Sequence, residues 1–183
     1  VIKYFPTKTA SVNSLSAHLK RIINFGTEVD MVVVDYADIL KDTSNQREVR
    51  HALGNIYEDL RGLAGEYEIP VWTASQANRS ALVEDVIQAE KVAESYQKVM
   101  TADFVVSLSR KVGDKIANTG RFHIIKNRFG PDGITLPAKV NTNNGSIDIY
   151  DGGSVNGQEQ QGKMNNQEEY VRKQLAQKYK DLG

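Results

Sequence analysis

The sequence predicts an α/β fold, a mainly parallel sheet packed against helices with antiparallel hairpins at its C-terminal end. Strand and helix patterns alternate through the first 110 residues, which implies right-handed crossovers between parallel strands. Met31 to Val34 is apolar throughout and rich in β-branched side chains, the habit of a strand covered on both faces. Beyond residue 110, strand-like segments follow one another with turn chemistry and no helix between them, as hairpins do.

Val1 to Phe5 has apolar residues at 2, 4 and 5 and stops at Pro6, the pattern of a short strand. Leu15, Leu19, Ile22 and Ile23 follow at helical spacing, with Ser11 or Ser14 as N-cap and Gly26 as the stop. After the 31–34 strand, Val49, Leu53, Ile56, Leu60 and Leu63 give the clearest helical stripe, expected over about 46–67 and ending before Pro70. Val71 to Ser75 is the next strand. Val92, Tyr96, Val99 and Met100 make a third helical face, and Phe104 to Leu108 a fourth strand. Phe122 to Asn127, Ile134 to Val140 and Ser146 to Tyr150 are the hairpin strands, separated by Gly130-Pro131-Asp132-Gly133 and by Asn141 to Gly145. Residues 151–166, poor in apolar side chains, read as a flexible linker after a 1–150 body. Residues 167–183 read as an amphipathic helix, with Val171, Leu175, Tyr179 and Leu182 on one stripe and Glu169–Lys173 as an i,i+4 pair. That helix either docks on its own body or awaits a partner.

The composition excludes several classes of function. Apolar residues at 40% and charged residues at 25% rule out wholesale disorder. Lysine plus arginine number 23, as do aspartate plus glutamate, so this is no uniformly basic nucleic-acid coat. The absence of cysteine removes disulfide scaffolds, zinc-thiolate sites and thiol catalysis, and fits a reducing compartment. His18, His51 and His123 lack metal-ligand spacing and read as structural. The chain opens on Val1-Ile2-Lys3-Tyr4-Phe5-Pro6 without a methionine, as a fragment of something longer would.

Three segments could carry chemistry. Asp35 directly follows the 31–34 strand, and open parallel sheets bind ligands at the carboxyl ends of their strands. A carboxylate there can hold hydrated magnesium beside nucleotide phosphates, as a Walker B aspartate does; it can equally cap a turn. Gln76, in Ser75-Gln76-Ala77-Asn78-Arg79, ends the next strand at the same sheet edge, where an amide can orient a water or sense a terminal phosphate. The segment 110–128 holds Arg110, Lys111, Lys115, Arg121, Lys126 and Arg128 against Asp114 alone. Such a basic hairpin meets nucleic-acid phosphates or a neighbouring subunit's nucleotide, unless its charges merely protect a sheet edge. Lys126 and Arg128 alternate and share a strand face. A phosphate loop of the form Gly-x-x-x-x-Gly-Lys-Ser/Thr occurs nowhere in the 183 residues. Phe5-Pro6-Thr7-Lys8-Thr9 has no glycine to replace it.

Taken in order, Met31-Val32-Val33-Val34-Asp35-Tyr36, Ser75-Gln76-Ala77-Asn78-Arg79 and Lys126-Asn127-Arg128-Phe129-Gly130-Pro131-Asp132-Gly133 resemble the back half of the RecA-like motor in DnaB-family replicative helicases. The last segment matches every fixed position of Lys-x-Arg-x-Gly-Pro-x-Gly. Val71-Trp72-Thr73-Ala74-Ser75-Gln76 and Leu60-Arg61-Gly62-Leu63-Ala64 resemble the primosome helicases of T-even-type phages. The resemblance spans residues 1–150 and implies part of a RecA-like three-layer fold. It implies a homo-hexameric ring that hydrolyses ATP or another NTP with Mg2+, translocates on single-stranded DNA, unwinds duplex, and meets a primase and a loader in the (host) cytoplasm. By the same resemblance Asp35 supports magnesium, Gln76 senses the γ-phosphate, and Lys126 and Arg128 reach the neighbour's phosphates, Arg128 as arginine finger. Loops 37–48 and 77–90 would face DNA, although Glu84, Asp85 and Glu90 make the second less basic than DNA contact favours. The family's phosphate loop and catalytic glutamate lie upstream of the first motif, so the isolated chain is expected to be inactive. The alternatives are a recombinase-like ATPase of the same fold and a RecA-fold interaction module without motor activity.

Overall fold

A computed structural model describes residues 1–44, 48–77, 86, 87, 89, 96–153 and 155–180, with backbone alone for 49, 50, 155, 156 and 174–180. The chain divides into two compact units. The first comprises Val1–Ala77 with Val92–Ala102, the second Asn78–Lys91 with Asp103–Gly183.

In the first unit, α1 (Val12–Asn24) starts at Ser11, whose hydroxyl accepts from the Ser14 amide while the Ser14 hydroxyl accepts from the Ser11 amide. Its C-terminal stop is Gly26, at φ +85°. The next elements are β1 (Val32–Val34), a 3₁₀ turn at Ala37–Ile39, α2 (Val49–Tyr67), β2 (Val71–Thr73) and the short α3 (Gln97–Thr101). β1 and β2 pair in parallel, Val33 opposite Trp72. Leu53, Ile56, Leu60 and Leu63 of α2 are all buried with Leu19 and Leu40, as the helical stripe predicts. α3 lies against α2 at Gly54, where a Cβ would strike the Gln97 side chain. Arg61 of α2 donates to the Thr101 carbonyl at the end of α3, 2.6 Å away.

In the second unit β3 (Phe104–Ser109), β4 (Thr119–Asn127), β5 (Thr135–Asn141) and β6 (Ser146–Ile149) form an antiparallel sheet in that order. α4 (Val112–Ala117) connects β3 to β4, and α5 (Val155–Lys180) packs on α4, β4 and β5. Among the described residues no helix is long and apolar enough to cross a membrane.

Four expectations are corrected. Residues 1–5 form no strand: Val1, Ile2 and Tyr4 are exposed, and among the described residues no ladder hydrogen bonds are made there. The 104–109 strand is not paired with the parallel strands among the described residues: it is the end strand of a separate sheet, antiparallel to β4 from Phe104–Asn127 to Ser109–Arg121. The larger sheet is therefore antiparallel rather than parallel. Within the basic 110–128 segment, residues 112–117 are helical. Finally, the 151–166 linker is helix from Val155 onward. Its glutamines, glutamate, lysine and methionine are straight-chain residues that lose little rotamer freedom in a helix. Gly157, Gln160 and Met164 recur at helical spacing and are buried, which a count of apolar residues does not reveal. Val171 is half-buried, and the side chains of Leu175, Tyr179 and Leu182 lie outside the described residues.

Charge pairing anchors α5. Asp114, fully buried, accepts from the Lys111 amide (2.8 Å), the Thr119 hydroxyl (3.1 Å) and the guanidinium of buried Arg121 (2.5 Å). The other arm of Arg121 pairs with Glu168 of α5, which Lys111 also approaches at 3.7 Å. Replacing Asp114 with Ala takes one of two carboxylates from the buried Arg121 guanidinium, which keeps Glu168, and removes about 3 kcal/mol, read by urea unfolding. Glu169→Ala, at an exposed i,i+4 pair with Lys173, leaves the same transition unmoved.

His123 is buried in β4, its Nδ1 2.8 Å from the Thr135 hydroxyl. Desolvation lowers its pKa from 6.5, against an opposing backbone hydrogen bond at Ile134. Between the folded and unfolded values the unfolded chain holds more protons, so stability rises with pH there and is fully present above 6.5. His123→Gln removes that acid-side loss, seen as a flatter plot of melting temperature against pH.

Candidate functional site

The site in the first unit is built where β1 and β2 end. Parallel pairing brings both carboxyl ends to one sheet edge, so Asp35 and Gln76 emerge from neighbouring strands. Both side chains are exposed. Asp35 makes no ion pair or hydrogen bond through its carboxylate among the described residues. Gln76 donates from Nε2 to the hydroxyl of Tyr36, the residue after Asp35, at 3.2 Å.

Beneath this edge the backbone is fixed by side chains. The Thr73 hydroxyl donates to the Val34 carbonyl and accepts from the Ala37 amide, both at 2.9 Å, sewing β2 to the turn after β1. Lys8, in the left-handed region at φ +61°, caps the same turn through the carbonyls of Asp38 (3.1 Å) and Leu40 (3.2 Å). Lys98 of α3, its side chain 2% exposed, reaches the Asp38 carboxylate at 2.9 Å and the Ser75 hydroxyl at 3.1 Å. Ser75 and Tyr57 both donate to Asp38, at 3.1 and 2.9 Å. The Lys98 ammonium also lies 5.4 Å from the Tyr57 ring centroid. Burial, then the neighbouring Asp38 charge, push the Tyr57 phenol far above its ordinary value, so it stays a hydroxyl donor. None of Asp38, Tyr57 and Lys98 stands out in the sequence. Lys98 sits inside an apolar helical face, and only the fold shows that it faces a carboxylate.

Lys126 and Arg128 belong to the second unit, on β4 and the turn after it. Lys126 pairs across to Val105, beside a register shift between Val105 and Val106. Arg128 is half-exposed, its guanidinium 2.6 Å from Asp103 and its amide bonded to the Asp103 carbonyl. Asn127 shapes the following turn by accepting from the Phe129 amide (3.0 Å) and donating to the Pro131 carbonyl (3.1 Å). Gly133, at φ +72°, closes it with its N–H donating to the Ile124 carbonyl at 2.8 Å. The other cations of the basic segment are largely consumed within the unit. Arg121 is buried in its ion pairs, Lys111 joins Glu168, and Arg110 donates to the Thr119 carbonyl at 3.0 Å. Asn78, Arg79, Glu84, Asp85 and Glu90 lie outside the described residues.

Residues 3–142 match the family model of the DnaB-like helicase C-terminal domain. The chain belongs to the DnaB-like helicase family. It is 31% identical over 140 residues to the DnaB-like replicative helicase of Enterobacteria phage T4, an alignment covering 71% of this chain and 28% of that protein. The chain thus spans little more than a quarter of that relative's length. A solved ATPase domain superposes with a TM-score of 0.68 at 22% identity, over 78% of this chain and 52% of the other. A DnaB-like replicative helicase, solved in a study of its interactions with primase, gives 0.64 at 22% identity over 73% and 34%. These likenesses show the fold of a helicase ATPase domain, and this chain has one parallel and one antiparallel sheet among its described residues.

The Thr73 bridge generates a test of how this edge is held. Thr73→Val keeps the side-chain shape but strands the amide of fully buried Ala37. The expected cost is about 1–3 kcal/mol of stability in denaturant unfolding. An unchanged midpoint would show that the bridge contributes nothing.

Proposed function

We propose that this chain is part of the RecA-like, three-layer ATPase domain of a ring-forming replicative DNA helicase, which hydrolyses nucleoside triphosphate between subunits while moving along single-stranded DNA and unwinding duplex. The observation that carries this reading is the emergence of Asp35 and Gln76 from adjacent parallel strand ends in a member of the DnaB-like family. An exposed carboxylate engaged by no other described group suits the water shell of magnesium. When bound, magnesium supplies charge neutralisation at the phosphate oxygens. Asp35 holds its water shell, acting as the Walker B aspartate. Gln76 gives up one exposed hydrogen bond to Tyr36 and turns its amide to a water or the terminal phosphate.

Lys126 and Arg128 act on the nucleotide of a neighbouring subunit, Arg128 as arginine finger. Its half-exposed guanidinium exchanges the Asp103 carboxylate for phosphate oxygens, a replacement of one anion by another. The phosphate cradle is absent from these 183 residues, so the chain alone turns over no ATP or other NTP. The complete helicase is a homo-hexamer in the host cytoplasm, with single-stranded DNA against loops 37–48 and 77–90 and a primase and loader as partners.

In the intact helicase, Arg128→Ala is expected to retain nucleotide binding and lose about 10³-fold or more in hydrolysis. Asp35→Asn abolishes hydrolysis from the magnesium side. Mixing the two variants, with subunit exchange shown by a fluorescence label, restores activity at interfaces that pair intact Asp35 with intact Arg128. Mixed rings as inactive as either parent contradict action across the interface.

A further inference from the structure

The Asp38, Tyr57, Ser75 and Lys98 cluster lies just behind the two strand ends, and the roles proposed above leave it unused. Its members come from four places: the 3₁₀ turn after β1, the middle of α2, the segment after β2, and α3. Asp38 is three residues beyond Asp35, and Ser75 immediately precedes Gln76. The cluster therefore touches both arms of the candidate site without containing either exposed group.

A buried ammonium is an unusual choice for a purely structural contact. Lysine desolvation is costly, and an apolar side chain in the same volume would be the simpler way to pack α3. What the ammonium adds is direction. One of its donors is committed to the carboxylate of one arm and another to the hydroxyl of the other arm, at 2.9 and 3.1 Å. Ser75 and Tyr57 then complete the coordination of Asp38. The two arms are thus held at a fixed separation by one charged point, rather than by packing that would tolerate sliding.

We propose that Lys98 is a positioning residue for nucleotide hydrolysis, setting the spacing between the Asp35 arm and the Gln76 arm through Asp38 and Ser75. The inference rests on the roles proposed for Asp35 and Gln76. It adds that misplacing the arms impairs the chemical step and the placement of magnesium more than the binding of nucleotide, which the absent phosphate cradle dominates. A misplacement on the order of 1 Å at reacting groups costs about 10²-fold in rate.

The test uses the intact helicase with ATP and titrated magnesium. Lys98→Met is expected to lower kcat by about 10²-fold, leave KM for ATP within about 3-fold, and raise the magnesium concentration for half-maximal rate several-fold. Lys98→Arg, which keeps the charge, restores part of kcat and most of the magnesium dependence. Tyr57→Phe, which removes a donor to Asp38 and to the Ala74 carbonyl, and Ser75→Ala, which removes a donor to Asp38 and an acceptor for Lys98, strand no buried charge and move the same two readouts in the same direction by less. If Lys98→Met does not fold, these two variants carry the test. Folded variants with unchanged kcat and magnesium dependence overturn the proposal, as does a rise in KM with kcat unchanged. Failure of the underlying reading looks different: Asp35→Asn then hydrolyses ATP as fast as the wild type.

Discussion

Lys98 carries its charge into a position where the side chain is 2% exposed, and a cation there is tolerated only when anions and dipoles converge on it. Asp38, Ser75 and the Tyr57 ring do so, and each comes from a different stretch of chain. Satisfying one ammonium therefore fixes the turn after β1, the end of β2, the middle of α2 and the register of α3 together. The exposed groups at the sheet edge inherit that order. Asp35 and Gln76 are themselves exposed, and Gln76 bonds to the Tyr36 hydroxyl, so under the proposed function their placement depends on what lies behind them. Thr73 and Lys8 act in the same sense, fixing backbone so that side chains above it stay free.

The second unit applies the same device. Arg121 is buried between Asp114 and Glu168, so a helix without a strong apolar stripe is attached to the sheet through charge pairing and one buried methionine. In both units the buried cation joins elements distant in sequence. The half-exposed cation, Arg128, sits at a turn built by Asn127 and Gly133 and holds a single carboxylate. Buried charges set the frame, and the proposed function asks the half-exposed one to exchange its partner.

Much of this was legible in the sequence wherever periodicity and burial agree. The stripe from Leu53 to Leu63 placed α2, Ser11 and Ser14 marked the start of α1, and Met31 to Val34 marked β1, although Met31 and Val33 are exposed and the strand is not covered on both faces as expected. The turn residues at 130–133 and 141–145 separated β4, β5 and β6. Legibility failed where partners decide the outcome. Residues 1–5 have a strand's pattern but join no ladder among the described residues. Phe104 to Leu108 reads as a strand in any sheet, and pattern alone does not say which neighbour it chooses. Residues 155–166 carry helix propensity without hydrophobicity, so a search for apolar stripes passes over them. For the site, Asp35 and Gln76 were singled out because strand ends are where open α/β sheets bind ligands, and in the structure they follow the paired strands β1 and β2. The cluster behind them was not visible, since nothing local distinguishes a lysine aimed at a buried carboxylate from one aimed at solvent.

The central claim is that Asp35 and Gln76 form one half of a nucleotide site completed by a neighbouring subunit's Arg128. The most direct measurement is a structure of the intact helicase with magnesium and a non-hydrolysable ATP analogue. The account predicts magnesium one water away from the Asp35 carboxylate and the Gln76 amide turned from Tyr36 toward the terminal phosphate. It also predicts Arg128, released from Asp103, against the phosphates of the adjacent subunit. A nucleotide bound away from the carboxyl ends of β1 and β2, with Arg128 still on Asp103, would contradict it.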